Sequence, residues 1–293
     1  MTPGAILLAM FGTSVARALP ALLNIRDRMA DRYPATPTRL AFTSTLIRST
    51  WHRRTMDKDY RAAHPEVPAE IYAIQDPRAI LAGLLEQDLA AVVVQPVYIA
   101  PGGEYNEMKA LVEELNARSE TARLVLAQPA FGPAPDGTEC NESDIAAVAG
   151  ALADDVRFAR ERKAALLYMG HGTKNYGVEP LYHRFAEGMR RLYPDVLTVI
   201  GTVEGKRPLA DALERVRNNE VKRVVLKPFM VAAGNHVRKD MLGPAPRGWK
   251  EQLERQGLEV EPVLRGLGEQ DAFARIFVER TAAAAAGAGI RLR

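Results

Sequence analysis

The sequence predicts an α/β protein of two similar Rossmann-like lobes, each a parallel sheet flanked by helices, the two related by internal duplication. Three observations lead there. Short apolar runs alternate with longer amphipathic stretches, a Pro- and Gly-rich stretch divides the chain near its middle, and the same order of elements then restarts. Strands separated by helical periods indicate βαβ units, and the crossover helix makes neighbouring strands parallel.

In order, AILLAMF at 5–11 is the first strand and a helix follows Thr13. RLAFTS at 39–44 is a second strand, with a helix near 50–62, and the alternating apolar pattern of EIYAI at 70–74 reads as another strand. A helix begins at Pro77, whose ring presets the first turn. The run AAVVVQPVYIA at 90–100 is a buried strand, followed by a helix from Glu104 and a strand in LVLAQPAFG at 124–132. Next comes GPAPDGTECNES at 132–143, whose turn residues mark a connection between lobes. The expected lobes are 1–138 and 139–293, the last helix being a candidate to pack back on the first. The second lobe runs through a helix from Ser143, the strand AALLYMG at 164–170, a helix through RFAEGMRRLY at 184–193, the strand VLTVIGTV at 196–203, a helix from Pro208 and the strand RVVLKPFMVAAG at 223–234. The closing TAAAAAGAGIRLR favours helix until its glycines end it.

Composition narrows the function classes. A chain of 293 residues with 47% hydrophobic content buries a core in each of two domains. The apolar run from Ala5 to Phe11 has no basic stretch before it and reads as a strand, not a signal peptide. No stretch approaches the roughly 18 apolar residues of a membrane helix. A cytoplasmic protein without a membrane partner is expected. The single cysteine, Cys140, excludes an internal disulfide and any cysteine-rich metal cluster. The net charge of +3 arises from Lys and Arg scattered among acids, which argues against a nucleic-acid partner and leaves an anionic small molecule open.

The duplication is visible residue by residue. VVVQPVYIAPGGEYNEM at 92–108 resembles VVLKPFMVAAGNHVRKDM at 224–241, with Pro96 matching Pro228 and Gly102 matching Gly234, and LLAMFGTS at 7–14 resembles LLYMGHGT at 166–173. Under this pairing Phe11 corresponds to His171 and Glu104 to His236, so both imidazoles belong to the second lobe alone. In open α/β sheets the loops at the carboxyl ends of strands line the ligand crevice. His171, Glu204 and His236 each follow a strand of the second lobe. Two imidazoles and a carboxylate suit a borderline divalent ion such as Co²⁺, Ni²⁺, Zn²⁺ or Fe²⁺, without selecting among them. Glycines beside the histidines permit close backbone approach to a flat ligand. His52 and His64 lie in a polar segment and His183 in a helix, and these three are left out of the site. No GxGxxG follows a strand and GxxxxGK[ST] is absent, so no nucleotide is expected. The GxSxG nucleophile elbow is absent too.

FGTS at 11–14, GGEY at 102–105, MGHGT at 169–173, GTVEG at 201–205 and KPFMVAAGNHVRKDM at 227–241 together resemble the anaerobic, ATP-independent sirohydrochlorin cobaltochelatases, class II chelatases related to ferrochelatase. The resemblance covers nearly the whole chain. It implies a tetrapyrrole bound between the lobes and Co²⁺ as substrate metal, held at His171, Glu204 and His236, with Fe²⁺ or Ni²⁺ as alternatives. Insertion releases two protons from the ring nitrogens, which calls for a base, and His171 is the candidate catalytic residue. Sirohydrochlorin is rich in carboxylates. Arg48, Arg53, Arg54, Lys206 and Arg207 are candidates to bind them, a solvated basic face being the alternative. Thr13, Ser14 and Thr173 are candidate donors from the strand ends, Met10 and Phe11 a candidate apolar floor, and Glu104 and Tyr105 further substrate-facing positions. Some members of the family carry a histidine associated with haem where Tyr98 stands here, so no haem is expected. A homo-oligomer is compatible with the sequence. A metal or tetrapyrrole carrier, a protoporphyrin ferrochelatase and a two-lobed small-molecule binding protein are the competing readings.

Overall fold

The computed structural model describes residues 2–86, 91–118, 123–132, 141–172, 179–205 and 208–293. Two compact units divide the chain: Met1–Ala130 with Ala274–Arg293, and Phe131–Phe273. The expected connection at 132–143 thus falls at the start of the second unit, and the segment that closes the chain belongs to the first.

The first unit contains β1 (Thr2–Met10), α1 (Leu19–Arg32), β2 (Thr38–Phe42), α2 (Thr45–Thr55), α3 (Lys58–Ala63), α4 (Ala69–Tyr72), α5 (Pro77–Glu86), β3 (Ala91–Pro96), α6 (Gly103–Arg118) and β4 (Arg123–Leu126). Its strands are parallel in the order β2-β1-β3-β4. One face packs Leu7, Ala9, Val92 and Val94 against Leu81 and Leu84 of α5 and Met108 and Val112 of α6. The other face packs Ala91 and Val93 against Ala285 and Ala288. Burial on both faces explains why these strands read as unbroken apolar runs.

Two local expectations change. The helix expected near 50–62 is split into α2 and α3, because the Asp57 side chain accepts from the Tyr60 amide at 2.8 Å and starts a new helix. EIYAI forms the turn α4, not a strand. Pro68 supplies the extended residue before it and Glu70 lies in its first turn. Ile71, Tyr72 and Ile74 are all buried, so their spacing marks contact with the core and not the alternation of a half-exposed strand.

The second unit contains α7 (Glu142–Ala151), α8 (Ala153–Glu161), β5 (Ala165–Gly170), α9 (Glu179–Leu192), β6 (Thr198–Thr202), α10 (Leu209–Asn218), β7 (Arg223–Phe229), a π-helical turn at Val237–Met241, α11 (Trp249–Glu254) and β8 (Glu259–Pro262). α12 (Asp271–Gly287) and β9 (Ile290–Arg291) follow, and β9 pairs with β1. The second sheet runs β6-β5-β7-β8, the order of the first repeated. Leu167, Met169, Val224 and Leu226 pack on one face against Leu209, Val216, Met241, Trp249 and Leu253.

Written end to end, the stretches 7–14 and 166–173 are one residue out of step, and the sheet registers remove the ambiguity. Ala9 stands opposite Pro96 and Met169 opposite Pro228. Counting on from these pairs sets Phe11 with His171 and Gly12 with Gly172. Both glycines have positive φ, at 92° and 71°. At Gly172 a Cβ would sit 1.8 Å from the Glu204 carbonyl oxygen, so only glycine lets the β5 and β6 loops close together.

Candidate metal and substrate site

Each proposed ligand leaves the carboxyl end of a second-unit strand by a short connection. His171 follows β5 directly and Glu204 lies two residues past β6. The Glu204 amide donates to the His171 carbonyl at 2.8 Å, which couples the two loops. His236 lies beyond β7, at the residue before the π-helical turn. The two imidazoles meet edge to face, their centroids 4.5 Å apart and their planes at 86°.

Their ring nitrogens are differentiated by their partners. His171 Nδ1 lies 2.8 Å from the Gly172 carbonyl, and His236 Nδ1 lies 2.7 Å from a carboxylate oxygen of Asp240. Both partners only accept, so each Nδ1 carries a hydrogen, and in the neutral imidazole the lone pair is then on Nε2. This is the tautomer that a metal-ligating or proton-accepting imidazole needs. His171 is exposed and the His236 side chain is 38% exposed, whereas Asp240 is buried. The second Asp240 oxygen accepts from Arg247 Nε.

Glu204 is partly buried and lines a cavity of about 360 Å³ with Thr202, Leu209, Asp240, Arg247 and Trp249. Among the described residues no group of three or more His, Cys, Asp or Glu side chains is gathered closely enough to hold a metal ion. The histidines are therefore in contact, while Glu204 is tied to them through its backbone.

The other sequence candidates fall in three groups. Thr173, Lys206 and Arg207 lie outside the described residues, as does Cys140. At the β1 end of the first unit, Met10 is fully buried and Phe11 is 49% exposed, so Phe11 is the apolar surface offered there. Thr13 is buried, accepts from the Val15 amide through its hydroxyl, and receives the Trp51 indole N–H on its carbonyl at 2.8 Å. Glu104 is exposed in the first turn of α6, and burial pushes the phenol of Tyr105 upward from its ordinary pKa.

The arginines already have protein partners. Arg48 donates to the carbonyls of Phe42 and Thr43, at 2.6 and 2.8 Å, at the end of β2. Arg54 donates to the Ser14 carbonyl at 2.7 Å while its guanidinium lies 4.6 Å from the Trp51 ring and 4.3 Å from Tyr60. Both shape the rim they sit on. Arg53 is exposed, with a 3.3 Å bond to the Thr50 hydroxyl. Of the histidines left out of the site, His52 bonds the Ile74 carbonyl at 2.7 Å, His64 pairs with Glu66 and His183 with Glu187.

The sequence reading missed Asp240 and Arg247. A signal was present: Asp240 follows His236 by one helical turn, a spacing at which side chains meet.

A family model described as CbiK, cobalt chelatase, matches residues 4–286. The chain is 31% identical over 284 residues to sirohydrochlorin cobaltochelatase CbiKC of Nitratidesulfovibrio vulgaris, covering 97% of this chain and 91% of that protein. It is 25% identical over 276 residues to the sirohydrochlorin cobaltochelatase of Salmonella typhimurium, covering 94% and 93%. Among solved structures, SirB from Bacillus subtilis with Fe³⁺ superposes with a TM-score of 0.64 at 11% identity, covering 98% of both chains, a likeness of fold.

Proposed function

The chain belongs to the CbiK cobalt chelatase family, and from that premise we propose that it inserts Co²⁺ into sirohydrochlorin without ATP, through His171, Glu204 and His236. The observation carrying this reading is the pair of imidazoles 4.5 Å apart, each with Nδ1 engaged by an acceptor, the arrangement that assigns the neutral ring's lone pair to Nε2.

The chemistry follows from what the ring must lose. A metal-free tetrapyrrole holds two hydrogens on its inner nitrogens, and a divalent ion enters the centre only as both leave. His236 and Glu204 hold the ion over the ring, replacing part of its water shell and turning an encounter of two solvated species into a positioned one. His171 accepts the protons in turn at Nε2 and passes each to solvent, to which it is exposed. Its carbonyl contact with Gly172 keeps Nδ1 protonated, so a single Nε2 lone pair serves either ion or proton. His171 therefore serves ion and proton in sequence and not together.

Phe11 offers an apolar surface for the macrocycle, and Arg53, Lys206 and Arg207 are the side chains we assign to its carboxylates. The reading needs no nucleotide and no haem. No helix among the described residues is long and apolar enough to cross a membrane, and we place the enzyme in the cytoplasm, supplying the cobalamin pathway.

The test is anaerobic absorbance spectroscopy of sirohydrochlorin with Co²⁺ and catalytic protein, repeated with Fe²⁺ and Ni²⁺. Multiple turnovers, fastest with Co²⁺, are expected. One product per protein would identify a carrier, and faster insertion of Fe²⁺ would move the enzyme to the sirohaem branch.

A further inference from the structure

We propose that Asp240 is a positioning residue for metal insertion, locking His236 in the tautomer and orientation that present Nε2 to the ion. The inference rests on the reading of His236 as a metal ligand.

The argument begins with the duplication. Met108 of α6 and Met241 of the π-helical turn are both buried in the cores of their units, at 3% and 0% exposure. Counted from the matched positions Glu104 and His236, Met108 comes four residues on and Met241 five. The second half therefore carries one extra residue between its rim position and its core methionine. A π turn accommodates such an insertion, and here the Leu242 amide bonds the Val237 carbonyl five residues back, at 3.0 Å. Met241 keeps its place in the core, and Asp240 arrives one turn beyond His236. The scaffold does not need this carboxylate to bury the methionine, because the first half buries Met108 without one.

Its surroundings suit a single task. The Asp240 side chain is 1% exposed, and both of its oxygens are used: one receives His236 Nδ1 at 2.7 Å and the other Arg247 Nε. A buried carboxylate without partners would be strongly disfavoured. Arg247 supplies a second partner and fixes the carboxylate plane, so the remaining oxygen points at the imidazole. A ligand histidine held this way by a carboxylate cannot rotate or exchange tautomer without breaking a buried charge-assisted bond.

The asparagine variant separates positioning from packing. In Asp240→Asn the amide oxygen still serves Arg247, and its NH₂ then faces His236. The imidazole must accept at Nδ1 and carry its hydrogen on Nε2, which blocks the ion. We expect Co²⁺ alone, titrated into the purified metal-free chain, to bind about ten- to a hundredfold more weakly, with sirohydrochlorin binding unchanged. Long-range ¹H–¹⁵N correlation on histidine-labelled protein should show His236 as the Nδ1–H tautomer in the wild type and as Nε2–H in the variant. Unchanged Co²⁺ affinity with the Nδ1–H tautomer retained would overturn the proposal.

Should Asp240→Asn be too unstable to purify, Arg247→Ala keeps the carboxylate but frees it to turn. It should weaken Co²⁺ binding severalfold, and full affinity would overturn the lock. His236→Ala separates the two readings. If it leaves Co²⁺ binding untouched, His236 is no ligand and the proposal falls with that reading, whereas a loss in His236→Ala beside full affinity in Asp240→Asn would sink the proposal alone.

Discussion

The rim of the first sheet carries Phe11, Ser44 and Glu104 where the rim of the second carries His171, Glu204 and His236. The backbone confirms the middle pair, since the Ser44 amide donates to the Phe11 carbonyl as the Glu204 amide does to that of His171. Strand order, register and the positive-φ glycines are common to both halves. A sheet of this kind thus fixes where three side chains will stand and leaves their identity free. The second half differs at the rim by those three residues and, behind them, by one inserted residue that brings in a buried carboxylate.

The largest effect should come from erasing that difference. His171→Ala should slow Co²⁺ insertion by about a hundred- to ten-thousandfold, the range for loss of a positioned acid–base group, and His236→Ala should slow it strongly by removing a ligand of the ion. Anaerobic absorbance rates measure this, and rates near wild type would remove these residues from the site. Circular dichroism should be unchanged, because Phe11 and Glu104 occupy the equivalent places without harm to the fold.

A second contrast lies beneath the rim. Gln95 in β3 and Lys227 in β7 hold matching places. Gln95 donates to the carbonyls of Pro96 and Gln128 and accepts from the Thr281 hydroxyl. Lys227 instead reaches Asp155 at 2.5 Å, and Asp155 also receives the Tyr168 hydroxyl at 2.7 Å. Burial pushes the Lys227 ammonium below the ordinary lysine pKa, against the opposing pull of Asp155. Lys227→Gln should therefore cost about 3 to 5 kcal/mol in urea unfolding, because Asp155 is left buried without its counter-charge. The loss should be smaller for Lys227→Met combined with Asp155→Asn. A mild effect of the single change would show that the second half tolerates the neutral arrangement of the first. The lowered Lys227 pKa also has a sign: the unfolded chain binds the extra proton between the folded and ordinary pKa values, so this group makes stability rise with pH across that window and contributes nothing to the slope above it.

Smaller effects sharpen the site itself. Glu204→Gln should raise the Co²⁺ concentration needed for half-maximal rate about tenfold, with little change in the dependence on tetrapyrrole, as expected where one of three ligands weakens. An unchanged metal dependence would count against it as a ligand. Phe11→Ala should act on the other substrate, raising KM for sirohydrochlorin a fewfold through the loss of about 1 kcal/mol or less of apolar contact, with the metal dependence unmoved.

Much of this was legible in the letters because parallel strands covered on both faces read as continuous apolar runs, and because the duplication exposes the two histidines as departures from a repeated pattern. EIYAI was misread since buried contact imitates strand alternation over so few residues. Arg48 and Arg54 are engaged by carbonyls and rings brought near only by the folded loop, which no spacing rule reveals. Asp240 stands at a readable distance from His236. Its burial and its bond to Arg247 depend on a π turn, and single-sequence patterns do not distinguish that from an ordinary helix.

The pairing of β9 with β1 has a consequence for how the molecule is made. Arg293 exchanges two bonds with Thr36, its amide donating to the hydroxyl and its carbonyl accepting from it, across 257 residues of chain. The first unit's strands leave the ribosome early, yet the helix and strand that cover their second face are translated only after the whole Phe131–Phe273 unit. During synthesis the apolar side of Ala91 and Val93 waits uncovered while the later unit, contiguous in sequence, has all its residues to hand. Assembly of the nascent chain is thus inverted, the half that begins first being finished last, and its open sheet face is the surface a chaperone would meet.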